Sequence, residues 1–353
     1  MHKKGVMLDF IVVGAAQAGL SMAYYLRKQG KEFLVVDKES EIGASWLNRW
    51  DSLTLFTPSE FNNMPGMEFP AKKGHYPSKT EVAQYFKDYA ERFEIPVQLN
   101  TLVENISHHD DHFILQSSEG EMKARNIVIA TGPFHIPYTP PFSKKIDRDI
   151  FQIHSNYYKN PGQLQDGGTM VVGAGDSGFQ ILDEVSEEDS RKVYFSGTTD
   201  VKVLPQEILG KTLWWWFTKS GFLSFSRDTW LGKKISQSRQ PVIGTPVKEI
   251  LERDNVEPVG KTKNAEGELV VTEKKKITDL RNIIWATGYR PNFGWIEGLE
   301  LTKEGYPQHY RGVSNIEGLY FIGLPWLHTR GSATLGGIRK DAKYLSDHIE
   351  KKG

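Results

Sequence analysis

The 353-residue chain contains no cysteine. Its own side chains therefore supply no thiolate nucleophile, no disulfide exchange and no thiolate ligand for a metal. A fold without disulfide staples suits a reducing compartment, and the expected localisation is cytoplasmic. Charge of one sign is not in excess either. Forty-four Lys and Arg stand against 44 Asp and Glu, so no general positive field invites nucleic acid. No apolar run reaches the roughly 18–20 residues of a membrane span. The opening Met1-His2-Lys3-Lys4, an apolar stretch and Ala16-Gln17-Ala18 superficially mimic a signal peptide. Cleavage there would remove a glycine turn that the rest of the chain needs. What remains is ordinary globular composition, 39% hydrophobic and 25% charged, in a chain long enough for two domains.

The organising stretch is Asp9-Phe10-Ile11-Val12-Val13-Gly14-Ala15-Ala16-Gln17-Ala18-Gly19-Leu20, followed by Asp37. Phe10 to Val13 reads as a buried parallel strand, Gln17 to Gln29 as a helix closed by Gly30, and Phe33 to Val36 as a second strand. This is the βαβ dinucleotide fingerprint with Ala16 in place of its central glycine. The helix N-terminus offers free N–H groups to a pyrophosphate. Asp37 can accept from a ribose 2′-OH and would repel a 2′-phosphate, so the site suits FAD or NAD.

A second unit occupies Gly173-Ala174-Gly175-Asp176-Ser177-Gly178, with a helix to about Val185 and a strand from Lys192 to Phe195. Where the first unit has Asp37 this one has Ser196, followed by Gly197, Thr198 and Thr199. No acid repels a 2′-phosphate and no arginine beside Thr198 clamps one; Arg191 and Lys202 are the nearby cations. NADH and NADPH are both permitted. A further repeat supports two equivalent halves. Arg125-Asn126-Ile127-Val128-Ile129-Ala130-Thr131-Gly132 is echoed by Arg281-Asn282-Ile283-Ile284-Trp285-Ala286-Thr287-Gly288, identical at six of eight positions. Small residues at a strand end let backbone approach a cofactor or cross between domains.

Between these landmarks the chain is less explicit. Trp46, Trp50, Phe56 and Tyr76 lie in an irregular stretch ending at Pro77; they either line a pocket or pack the loop. Thr80 to Phe93 has helical spacing, with Thr80, Glu81 and Gln84 as its start. Strands are expected at Val97–Leu99, Leu102–Ile106 and Phe113–Gln116. His108-His109-Asp110-Asp111-His112 is read as a solvated turn rather than a metal site. Leu213-Trp214-Trp215-Trp216-Phe217, with Phe222, Phe225 and Trp230, is interleaved with Lys211, Lys219, Arg227, Lys233 and Lys234. It is a substrate lid, a homodimer contact or a membrane-surface element, with the lid favoured.

Taken together these motifs resemble the flavin-containing monooxygenases (class B flavoprotein monooxygenases), in their short bacterial form and more loosely the plant YUCCA type. The resemblance rests on Gly14–Gly19, Trp46 with Leu53–Pro58, Tyr76-Pro77, His154-Ser155-Asn156-Tyr157-Tyr158, Gly173–Gly178, Leu204-Pro205, Ala286-Thr287-Gly288-Tyr289 and Gly331-Ser332-Ala333-Thr334-Leu335-Gly336. There are departures. His154 of the F-x-G-x-x-x-H signature is present, but its Phe and Gly fall on Arg148 and Ile150. Phe56-Thr57-Pro58 stands where larger members carry an active-site Asn.

The resemblance implies an α/β fold of two Rossmann-like dinucleotide-binding domains, the NAD(P)-binding domain inserted into the FAD-binding domain. The expected division is 1–158 and 291–353 for FAD, and 159–290 for NAD(P)H with an aromatic-rich insertion at 205–240. The chain would cross near Tyr158–Pro161 and return near Tyr289–Asn292. FAD contacts are expected from Gly14, Ala16, Gln17, Gly19, Asp37, Lys38, Trp46, Val103, Ala130, Thr131, Gly132, Ser332, Thr334 and Leu335. Nicotinamide-nucleotide contacts are expected from Gly173, Gly175, Asp176, Ser177, Gly178, Ser196, Thr198, Ala286, Thr287 and Gly288. Phe56, Thr57 and Trp46 are the candidate catalytic residues. A helix starting near Ser332 would aim its positive end at the flavin. NADH or NADPH would reduce FAD, and dioxygen would then oxygenate a soft sulfur or nitrogen of a small-molecule substrate. An NAD(P)H oxidase that releases peroxide, or a flavin-bound accessory protein of ion transport, are the alternatives.

Overall fold

The computed structural model describes residues 6–352. The chain builds two sheets, each with the glycine turn of one repeat at a strand end. In the first sheet the strands run in the order Val97–Gln98, Phe33–Val36, Met7–Val13, Gly120–Ile129, His112–Ser117, Val103–His109, and Leu319–Phe321 also pairs with Gly120–Ile129. Its pairings are parallel except in the hairpins that join the last three strands of that order. Phe33–Val36 is buried at every position, as an apolar run covered on both faces requires.

One face of this sheet packs against the helices Gln17–Lys28, Lys79–Arg92 and Ile338–Lys352, through Leu20, Met22, Tyr85, Phe86, Ile338 and Leu345 among others. The opposite face buries Ile11, Leu34, Phe113, Ile127, Phe293 and Phe321. Lys79–Arg92 starts one residue earlier than its apolar spacing suggests. Ser78 caps it, accepting from the Glu81 N–H while Glu81 accepts from the Ser78 N–H. The histidine-rich segment forms the end of a hairpin, with Asp110 at φ 49° between His109 and His112.

The second sheet is entirely parallel, ordered Val256–Pro258, Val193–Ser196, Gly168–Val172, Leu280–Trp285, Phe151–His154. A three-stranded antiparallel ribbon, Thr262–Glu266, Leu269–Thr272 and Lys276–Ile277, completes this unit. The first crossing comes earlier than Tyr158–Pro161. Phe151–His154 already pairs with Asn282–Trp285, so its backbone hydrogen bonds belong to the second sheet. The link between the sheets is narrow: Ile136–Pro137 runs antiparallel to Tyr289–Arg290. No helix among the described residues is long and apolar enough to cross a membrane.

Candidate active site

The two glycine turns are built alike. Gly14 has φ +112°, and a Cβ on it would lie 2.7 Å from the Ala130 carbonyl oxygen. Gly173 has φ +130°, and its Cβ would lie 2.1 Å from the Ala286 oxygen. The repeated Ala-Thr-Gly strand ends therefore press on the repeated turns, and that contact admits only glycine. Each Ala N–H donates back across the turn, Ala130 to Val13 O and Ala286 to Val172 O, both at 2.8 Å. Gly19 and Gly178 close the same contacts from the helix side. A Cβ there would sit 1.8 Å from Gly14 O and 2.1 Å from Gly173 O.

Both following helices, Gln17–Lys28 and Asp176–Val185, begin without a side-chain cap. Their first-turn N–H groups stay available to an anion. At the first turn, Gln17 Oε1 is buried without a hydrogen-bond partner. Asp37 accepts from the Ala15 N–H at 2.6 Å and the Glu39 N–H at 2.9 Å, which holds its carboxylate at the rim of the turn with lone pairs to spare. Thr101, two residues before Val103, donates its N–H to Asp37 O, so the segment leading into that strand borders the same corner. Lys38 is exposed and faces Glu39 at 3.8 Å. These features fit a dinucleotide: a cradle that a Cβ would fill, free N–H donors and an orphaned buried oxygen.

The second turn differs in its acid. Asp176 Oδ1 accepts from the Ile243 N–H at 3.3 Å, and burial holds its carboxyl above the ordinary carboxylate range. Ser196 is 2% exposed, and its hydroxyl is shared with Thr262 Oγ1 at 2.7 Å and the Thr262 N–H at 2.9 Å. Its side chain braces the strand end and is not offered to a ribose. Thr198 Oγ1 accepts from the Asp200 N–H, and Ser177 is half-buried. Arg191 is buried and bonded to Glu188 and Gln165 O, so it is a structural cation. The cation at this turn is Arg239, whose Nη2 donates to Ala174 O at 2.8 Å. It lies at the end of the aromatic insertion, where no local spacing marks it.

The glycine-rich segment near the C-terminus also departs from expectation. Arg330–Ala333 is a single 3₁₀ turn, and the long helix begins only at Ile338. Ser332 Oγ accepts from the His328 and Thr329 N–H groups, and Thr334 Oγ1 donates to Gly331 O. Gly336 and Gly337 come within 1.7 Å of Phe61 O and 2.0 Å of Gly331 O at their Cβ positions. These close approaches bend the chain where a continuous helix would have run. The helix dipole consequently acts from Ile338 and not from Ser332. Leu335 is 4% exposed and part of the first core.

The linking ribbon carries a hydrogen-bonded cluster. His154 Nε2–H donates to Gly288 O at 3.0 Å and Nδ1 accepts from the Asn156 N–H at 3.0 Å, a pattern that requires the neutral ring. Burial lowers its proton affinity in agreement. Thr287 Oγ1 donates to Tyr138 O, and Thr131 Oγ1 contacts His135 Nε2 at 3.1 Å. Arg49 donates to Tyr289 Oη at 2.6 Å, and Gly132 has φ +70°. Trp46 is half-buried against the first core, whereas Trp50 belongs to the second.

Phe56 and Thr57 meet the aromatic insertion. Trp214 stacks on Phe56 with centroids 5.9 Å apart and planes at 13°, and its Nε1–H donates to Phe56 O at 3.0 Å. Phe217 stands edge-on to Trp214, and Phe222 stacks on Phe217 with centroids at 4.8 Å. Leu213, Trp214 and Ile243 form a small core with Phe56, Phe61, Leu204 and Leu223. Thr57 is 7% exposed. Trp216 and Trp230 are exposed, so the three consecutive tryptophans are divided between this contact and the surface. An open groove of about 490 Å³ between Tyr25, Met64, Arg339 and Tyr344 contains none of the expected site residues.

Paired sheets with duplicated glycine turns and a thin connecting ribbon define an oxidoreductase with the flavin monooxygenase fold. Residues 11–205 match the family model described as pyridine nucleotide-disulphide oxidoreductase, and the chain belongs to that family. It is 42% identical over 344 residues to a Geobacillus kaustophilus protein named "Uncharacterized oxidoreductase CzcO-like", covering 97% of this chain and 98% of that one. It is 26% identical over 363 residues to the probable indole-3-pyruvate monooxygenase YUCCA3 of Arabidopsis thaliana, covering 89% of this chain and 81% of that one. A variant of the flavin monooxygenase from Stenotrophomonas maltophilia is 25% identical and superposes with a TM-score of 0.80, over 97% of this chain and 98% of that one.

Proposed function

We propose that the protein is an FAD-dependent NAD(P)H monooxygenase acting on a small molecule with a soft sulfur or nitrogen. One observation carries this reading: the glycine turn, uncapped helix and pressing Ala carbonyl occur twice, at Gly14 with Ala130 and at Gly173 with Ala286. One dinucleotide site binds a redox cofactor; two let electrons pass between a pair. Gly14, Ala16, Gln17, Gly19 and Asp37 would hold FAD, and Gly173, Gly175, Ser177 and Gly178 the nicotinamide nucleotide. When bound, FAD supplies hydride acceptance and oxygen activation. The overall balance is NAD(P)H, a proton, dioxygen and substrate going to NAD(P)⁺, water and oxygenated substrate.

The chain's own part is orientation and exclusion of water. Trp214 on Phe56 closes apolar surface over the Thr57 loop. That placement supports the lid reading of the insertion over a dimer or membrane contact.

A second reading, an NAD(P)H oxidase that releases peroxide, is favoured by Phe56-Thr57-Pro58. The neighbouring amide, Asn62, turns its Nδ2 to Thr57 O and Pro58 O rather than outward. Purified protein should be yellow and bleach on anaerobic addition of NADH or NADPH. Aerobic turnover with a simple thioether should then yield sulfoxide in step with nucleotide consumed. Peroxide without sulfoxide would select the oxidase, and colourless protein that takes up no FAD would remove both readings.

A further inference from the structure

The guanidinium of Arg330 has five N–H donors, and none has a hydrogen-bond acceptor among the described residues. It is half-buried. Its carbon lies 6.0 Å from the Phe217 ring centroid and 5.7 Å from that of Phe222. Asp176 is near enough to act on it electrostatically but forms no ion pair with it among the described residues. A partly desolvated guanidinium gains from aromatic rings, yet rings replace only part of its lost hydration. The remaining donors ask for an oxyanion, and the planar fork matches a carboxylate in bidentate contact.

Arg330 also occupies a particular place. It precedes Gly331 and Ser332 on the first domain, and it touches the aromatic series that leads from Phe222 through Phe217 and Trp214 to Phe56. We propose that Arg330 is the anchor for a carboxylate on the organic substrate, whose apolar body lies along these rings. This rests on the monooxygenase reading above and narrows it to a thioether or amine that also carries an acid group. A nucleotide phosphate is the competing oxyanion. The proposed nucleotide site already offers it the uncapped N–H groups of Asp176–Val185, whereas Arg330 lies against the Phe217 and Phe222 rings.

The test uses the full chain loaded with FAD and no nicotinamide. (Phenylthio)acetate and its neutral amide are titrated while the flavin spectrum is followed. The acid should bind about tenfold more tightly than the amide, as a charge-assisted bidentate pair allows. Arg330→Met and Arg330→Gln should erase that preference, while the Kd values of NADH and NADPH stay within about twofold. A wild type with no preference for the acid, or variants that retain it, would overturn the proposal. So would variants that weaken only nucleotide binding, which would assign Arg330 to a phosphate. If one variant fails to fold, the other decides. If the protein takes up no FAD, quenching of tryptophan fluorescence by the two probes reads the anion site alone, separating its failure from failure of the monooxygenase reading.

Discussion

Trp214 and Phe56 join the two halves of the molecule: one ring lies flat on the other, and the indole N–H is tied to the Phe56 carbonyl. Trp214 is 5% exposed although it sits in a lysine-rich segment. Trp214→Ala should remove packing on the order of 3 kcal/mol. The expected results are faster proteolysis within 205–240 and a larger share of nucleotide oxidation ending as peroxide. Trp216→Ala, at an exposed position, should do neither. Equal cleavage rates in the two variants would contradict a docked lid.

Gly173→Ala should abolish reduction by NAD(P)H while leaving the protein yellow. The added methyl collides with Ala286 O, and the left-handed backbone adds roughly 1–2 kcal/mol for a residue with a Cβ. Gly14→Ala should instead lose FAD, because its collision is with Ala130 O. Flavin content and bleaching kinetics separate the two. Loss of FAD in Gly173→Ala would mean that the two sites are not independent.

Asp37 should matter more for retention of FAD than for the fold. Asp37→Ala removes an acceptor that holds the Ala15 N–H and, as proposed, a ribose hydroxyl, for an expected loss of about tenfold in FAD affinity. Asp37→Asn should fall between. Equilibrium dialysis against FAD measures this, and unchanged affinity would refute the assignment.

Burial pushes the His309 imidazole down to about 4, and its Nδ1 accepts from the Gly312 N–H at 3.2 Å. The unfolded chain takes up this proton near pH 6.5 and the folded one only near pH 4. The stability it confers is therefore complete above pH 6.5 and is lost as pH falls from there toward 4, up to about 3 kcal/mol. Denaturant titrations at pH 7 and pH 5 should show a smaller acid-induced loss for His309→Gln than for the native chain. Identical losses would remove His309 as the cause.

Much of this architecture is visible in local sequence because its signals are short-range. Gly14 and Gly173 each follow an apolar strand and open a helix, so turn, strand and helix are read together. The Ala-Thr-Gly repeat is equally visible, although its reason, a carbonyl pressed on a glycine, appears only in three dimensions. Arg239 and Arg330 are different. Each acquires meaning from a partner far along the chain, Ala174 for one and Phe217 for the other. The missing helix at Ser332 has a similar cause: Gly336 is pinned by Phe61 O from another segment. Ser196 looked available because sequence does not reveal that Thr262 meets its hydroxyl.

The ribbon of Ile136–Pro137 and Tyr289–Arg290 is two residues long on each side. A connection this slight resists twisting poorly, so the domains are held in register by contacts away from it: Trp214 on Phe56, Trp50 in the second core, and the Asp51 N–H donating to Lys159 O. Rotation about the ribbon would peel that stack apart. On the proposed reading of the insertion as a lid, exchange of spent nucleotide and escape of product would both be coupled to how often those two rings separate.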